Sequence, residues 1–257
     1  MHTDTNLKSG SLTVLNNKST IAIYNKERLK QDLTLFKKFD DANKIHGGLS
    51  APSKMPGWGY GLPSSKCKTG SKLKVVMGSV CFSCYAADDW DWIKQGQHHS
   101  NYAWENVKSA NRRRFDSLTN ELWVPSLIFT INRRKDKHFR WHDTGDIQSL
   151  EHLRNICTIC EFTKDVKHWL PTREYAIIDS IDFQVPNNLC IRVSAHLVDK
   201  DAPERFANTS SVITKLNIKE RDNNTICPVS KNEGQKSCGS CRKCWDNSVA
   251  HVCYIKH

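Results

Sequence analysis

The chain has 257 residues, 38% of them hydrophobic and 25% charged; that suits one large domain or a domain with a small appendage, and it excludes wholesale disorder. The formal charge is +11, no apolar run approaches the roughly 18 residues of a spanning helix, and no signal-peptide core opens the chain, so it reads as cytoplasmic with no membrane partner. Eleven cysteines stand beside eight tryptophans, and in a long chain without an export signal that balance favours metal or redox chemistry over disulfides.

Residues 1–47 are polar and weakly patterned, with a short apolar stretch at Ile21–Tyr24 and a Lys-rich segment around Leu33–Phe39, and read as an accessory arm. His46–Ser65 is dense in Gly, Pro and Ser and reads as an irregular connection. Cys67–Tyr85 carries the first cysteine group on turn-rich sequence. Asn101–Leu118 reads as a helix, with Ala103, Val107, Ala110 and Leu118 near one face and Arg112–Arg114 in its later half. Leu127–Ile131 and Phe139–Asp143 read as strands, followed by a helix over Leu150–Phe162 with Ser149 as its cap. His168–Leu170 is a third strand, Thr172 caps a helix to Ile181, Leu189–Ala195 is a fourth strand and Val212–Leu216 a fifth. Strands alternating with helices predict an α/β fold, a partial (βα) barrel or an open parallel sheet over 48–218, with a cysteine-rich metal-binding extension over 219–257.

In such sheets chemistry sits at the carboxyl ends of the strands. Those ends carry His142, Asp143 and Asp146, then Thr172, Arg173 and Glu174, then Ser194 and His196. Each has a plainer reading: His142 and Asp143 as loop ties, Thr172 as a helix cap, and Arg192, alternating with Cys190 and Ser194, as a buried cation that needs an anionic partner.

The C-terminal cysteines, Cys227, Cys238, Cys241 and Cys244, present three thiolates in C-x2-C-x2-C spacing plus a remote fourth followed by Pro228. That set suits a [4Fe-4S] cluster, with structural zinc as the alternative. Cys67, Cys81 and Cys84 leave one corner of a cubane unfilled, and an open iron binds a substrate or S-adenosylmethionine. The plainer reading makes Cys67 structural and gives Cys81 and Cys84 to the other site. Cys157 and Cys160 lie mid-helix on an apolar stripe and read as packing, as does Cys190.

The run SKMPGWGYGLPSSKCKTGSKL, SVCFSCYA, FRWHDTGDIQSLEHL, WLPTRE and CP with CGSCRKCW, from about Ser53 to Trp245, resembles the phage-encoded Gene product 88 family. A looser resemblance is to radical S-adenosylmethionine enzymes with an auxiliary cluster. It departs from them in the thirteen residues between Cys67 and Cys81, where those enzymes have three, and in the lack of a Gly-Gly-Glu strand end. It implies Cys67, Cys81 and Cys84 as ligands of a catalytic cluster, and Cys227, Cys238, Cys241 and Cys244 as ligands of an auxiliary one. Tyr85, Arg173, Glu174, Arg192, Ser194 and His196 would line the cofactor, His142, Asp143 and Asp146 would act on cofactor or substrate, an electron donor would be a partner, and the host cytosol during phage infection would be the location. Two further functions fit the sequence: a metal-stabilised nucleic-acid-binding protein, from the basic clusters Arg112–Arg114 and Arg133–Lys135 among many aromatics, and a non-catalytic electron carrier.

Overall fold

The computed structural model describes residues 20–82, 84, 86, 101–231 and 235–256. In chain order these form α1 (Leu29–Leu33), α2 (Phe39–His46), β1 (Trp58–Tyr60), α3 (Lys68–Leu73), α4 (Asn101–Ser117), α5 (Trp123–Arg134), β2 (His138–Trp141), α6 (Leu150–Glu161), β3 (Lys167–Thr172), α7 (Tyr175–Asp179), β4 (Leu189–Ser194), β5 (Thr209–Ile213), α8 (Pro228–Lys231) and β6 (His251–Ile255). The strands make one open sheet, parallel throughout, in the order β1-β2-β3-β4-β5-β6. Every crossover therefore steps in the same direction, and right-handed connections place the helices on one face.

Alternation along the strands assigns residues to the two faces. Phe139 stands in register with His168, and His168 with Leu189; with Trp141 and Leu170 they form the helix-covered side. This side packs against Trp123, Leu127, Ile128 and Ile131 of α5 and Leu153, Ile156 and Ile159 of α6, all buried. Each such aliphatic side chain contributes about 2 kcal/mol through burial. Arg140 stands in register with Trp169, and Trp169 with Cys190, so these and Arg192 face the other way. There the C-terminal segment covers them: the Trp245 ring lies 5.2 Å from that of Trp169, and the Arg140 guanidinium lies 4.5 Å over Trp169.

The helix expected over Leu150–Phe162 forms as α6, and Ser149 Oγ accepts from His152 N at 3.2 Å at its start. The strand expected at Leu127–Ile131 does not form; those residues are helical, inside α5. The buried residues Trp123, Val124, Leu127, Ile128 and Ile131 follow a helical period that a five-residue window is too short to reveal, and Pro125 falls in the first turn, where its missing N–H costs nothing. Thr172 ends β3 and does not cap a long helix; α7 begins three residues later, at Tyr175. The fifth strand spans Thr209–Ile213 and lies earlier than expected. β1 lies in the stretch that reads as an irregular connection, and β6 has no counterpart among the expected strands. Residues 20–46 join the helical layer. Leu29 and Phe36 are buried, and Tyr24 N donates to Asn155 Oδ1 on α6 at 2.8 Å. Cys157 and Cys160 are buried on α6, and Cys253 is buried beside Ser211.

Among the described residues four histidines are buried in this core: His46, His142, His152 and His168. Burial pushes His46, His152 and His168 each down to about 3, and His142 well below its ordinary value. A base with a depressed folded-state pKa binds fewer protons folded than unfolded between about 3 and 6.5, so its contribution is complete above 6.5 and is lost as pH falls through that window. The urea midpoint is therefore expected to fall steeply from pH 6.5 towards 4, with net uptake of more than about two protons on unfolding. A midpoint flat over that range would contradict neutral burial of these rings.

Candidate functional site

Two buried carboxylates organise the strand exits: Asp146 ties the β2 exit to the β3 exit, and Glu174 ties the β3 exit to α3. Asp146, beyond β2, accepts at Oδ1 from Thr172 Oγ1 (2.7 Å) and Ile147 N (2.8 Å), and at Oδ2 from Arg173 N (2.9 Å). Burial raises its carboxyl to about 6, against the pull of those hydrogen bonds. Glu174, beyond β3, accepts at Oε1 from Lys68 N (3.0 Å) and Thr69 N (2.8 Å), and at Oε2 from Thr69 Oγ1 (2.6 Å). It thereby satisfies the otherwise orphaned amides at the start of α3 and fixes Cys67, which caps that helix. The chain then returns to the β4 exit: Ser79 bridges Leu197, Val80 N donates to His196 O, and Val198 N donates to Gly78 O. This tether brings Cys81 and Cys84 back over the same strand ends.

Cys67 and Cys81 approach each other there, with Cys84 close enough to act on both electrostatically. Burial first, then the negative neighbours Asp146, Cys84, Cys81 and Glu174, push the Cys67 thiol far up. Burial likewise raises Cys81, opposed by Arg173 and reinforced by Cys84, Asp146 and Glu174. Gly70 sits between two of the sulfurs. A Cβ built on it would lie 2.9 Å from Cys67 Cβ and 3.6 Å from both Cys67 Sγ and Cys81 Sγ. A glycine inside a helix costs about 1 kcal/mol relative to alanine, and here it keeps a cradle open between thiols. Arg173 is oriented by Nε donating to Ala195 O (3.3 Å), and His196 Nε2 lies 3.0 Å from Arg173 O, its ring stacked on Tyr175 at 3.9 Å.

Asp146, Arg173, Glu174 and His196 thus gather with Cys67, Cys81 and Cys84; His142 and Asp143 do not. His142 has a left-handed backbone (φ +55°), which turns its ring into the helical layer, 5.4 Å from that of His152. Asp143 crowds Gly61 together with Thr144 and Asn111, and its charge supports the buried Arg114. Ser194 Oγ accepts from Ser210 Oγ at 2.9 Å. Tyr85 lies outside the described residues.

The second cysteine group lies on the opposite face of the sheet from the helices. Arg192, fully buried, donates to the carbonyls of Thr209, Lys243, Asp246, Val249 and Ala250 at 3.0–3.4 Å, and to Cys190 Sγ at 3.5 Å. The anionic partner that a buried arginine calls for is replaced by a ring of carbonyls, which folds the cysteine segment onto β4. Trp245 Nε1 donates to Phe139 O (2.9 Å), Cys238 N to Lys54 O (2.8 Å) and Cys227 N to Cys253 O (2.8 Å). Cys244 Sγ lies 3.1 Å from Tyr254 OH. Burial raises Cys238, with Cys227 and Cys241 adding to it, and raises Cys244 to about 12, with Cys227 adding and Arg192 and Arg140 opposing. Cys241 also lines an open cavity of about 500 Å³ with Lys231, Arg242 and Lys243.

Among the described residues no group of three or more His, Cys, Asp or Glu side chains is already drawn together as a finished metal site. The donor chemistry fits a soft metal all the same: both groups are made of thiols, which bind such metals as thiolates, and Gly70 holds volume free between Cys67 and Cys81. Arg114 is buried, and Arg133 and Arg134 stack on Phe129 and on Phe39 and Trp58. No described helix is long and apolar enough to cross a membrane.

Sheet, strand-end thiols and clamped cysteine segment together define a cysteine-rich, singly wound parallel α/β protein. A family model for Gene product 88 matches residues 24–247. The chain belongs to the Gene product 88 family. No curated protein and no solved structure matches it.

Proposed function

We propose that this is an iron–sulfur enzyme of the radical S-adenosylmethionine type, with Cys67, Cys81 and Cys84 holding the working cluster and Cys227, Cys238, Cys241 and Cys244 a second one. The observation that carries this reading is the approach of Cys67 and Cys81 around a bare Gly70, with Cys84 near enough to act on both electrostatically, beside the carboxyl ends of sequentially ordered parallel strands. A cluster held by three cysteines supplies an iron with a free coordination position and a one-electron couple. The chain's own residues do the rest. Cys67 is fixed at the α3 start by Glu174, and Cys81 by the Ser79–Leu197 bridge. Asp146 and Glu174 provide negative charge and Arg173 positive charge beside the thiols, matching the ammonium and carboxylate of S-adenosylmethionine.

The test is iron, zinc and acid-labile sulfide per chain on anaerobically purified protein. About eight irons with equal sulfide are expected, falling to about four in Cys67→Ala and in Cys241→Ala. Zinc without sulfide, or full iron in Cys67→Ala, would overturn the assignment.

A further inference from the structure

The two cysteine groups sit in opposite electrostatic surroundings. Beside the first stand the carboxylates of Asp146 and Glu174, with Arg173 as the only cation among the charges that dominate Cys67 and Cys81. Beside the second stand Arg140, Arg192 and Arg242, and no carboxylate enters among the charges that dominate Cys238 and Cys244. The second group also has a hydroxyl at one of its sulfurs, Tyr254 OH at 3.1 Å from Cys244 Sγ. Tyr254 stands on β6, in register with Val212 of β5, and so is held by the sheet rather than by a loop. With Cys244 as a thiolate the hydroxyl is the donor, because a thiolate has no proton to give.

We infer that Tyr254 is a positioning residue which, with Arg140 and Arg192, poises the second centre at a higher reduction potential than the first. The inference rests on the iron–sulfur reading above. Reduction adds one electron to a cluster and so makes it more negative. A hydrogen bond to a ligating sulfur and nearby guanidinium groups stabilise that added charge, whereas neighbouring carboxylates oppose it. Electrons supplied to the protein therefore collect first at the face covered by the C-terminal segment, and the strand-end centre is reduced last.

The experiment is a potentiometric titration with dithionite, followed by EPR at pH 8, on the iron-loaded full chain. Two steps are expected, one electron entering each centre, and Cys67→Ala should remove the lower one. Tyr254→Phe should move the upper step to lower potential and leave the lower step in place. An upper step unmoved in Tyr254→Phe, or loss of the upper step in Cys67→Ala, would overturn the proposal. If Tyr254→Phe fails to retain its iron, Arg140→Leu is measured in its place; the same downward shift is expected, and its absence would equally overturn the proposal. A wild-type chain with no iron–sulfur signal would instead overturn the functional reading itself, which separates the two failures.

Discussion

Arg192→Met is expected to lower the stability of the fold by about 3 kcal/mol or more and to release the second cysteine group. The guanidinium is fully buried and donates to five backbone carbonyls drawn from β5, from the approach to β6 and from the turn carrying Cys244. Methionine fills similar volume but donates nothing; Lys243 O, Asp246 O, Val249 O and Ala250 O each keep another donor, so what is lost is a set of charge-assisted hydrogen bonds, each worth about 1.5–3 kcal/mol. Loss of the unfavourable burial of a charge offsets much of this, which brings the expected net effect down to about 3 kcal/mol or somewhat more. Arg192→Lys should rescue little, because an ammonium has three donors on a point charge where the guanidinium fork has five in a plane. The measurement is the urea midpoint together with iron per chain. Both should fall, iron to about half, with the strand-end centre retained. A midpoint indistinguishable from wild type would show that the C-terminal segment is held by something other than this arginine.

Gly70→Ala is expected to have the reverse profile, with stability almost unchanged and the strand-end centre lost. Alanine regains about 1 kcal/mol of helix propensity in α3. The new methyl approaches Cys67 Cβ to 2.9 Å, closer than ordinary contact, and the resulting displacement consumes that gain. It also lies 3.6 Å from both Cys67 Sγ and Cys81 Sγ, in the space a cluster would occupy. Iron is expected to fall from about eight to about four per chain, with the second centre intact. Undiminished iron in Gly70→Ala would mean that no cluster lies between these two thiols. Together the two variants separate the centres: one takes away the clamp of the second, the other fills the cradle of the first.

Much of this is legible in the sequence because the signals are local. The helix over Leu150–Phe162 and its Ser149 cap follow from period and cap chemistry within one segment, and the α/β class follows from strands and helices alternating along the chain. The two thiol groups are visible as spacings, and Asp146, Arg173 and Glu174 are visible as polar residues beyond strand ends. The cysteines of α6 are legible as packing because they share its apolar stripe.

Other features depend on partners distant in the chain. Leu127–Ile131 has a strand-like composition, but the core it meets on β2 and α6 demands a helical face. β1 is three residues long and exists only because β2 stands beside it to accept its pairing. His142 and Asp143 close the same strand as Asp146, yet a left-handed φ at His142 and the crowding around Gly61 turn both away from the thiols. Arg192 reads from its strand position as a cation in need of a partner, and only the folded chain shows that the partner is a ring of carbonyls from the cysteine segment. Residue type and near-neighbour spacing are covalent facts, so the chain alone settles which atoms are available for chemistry. Which of them meet is settled only on folding, because convergence of Cys67, Cys81, Asp146 and Glu174 requires the β2, β3 and β4 exits to be assembled side by side.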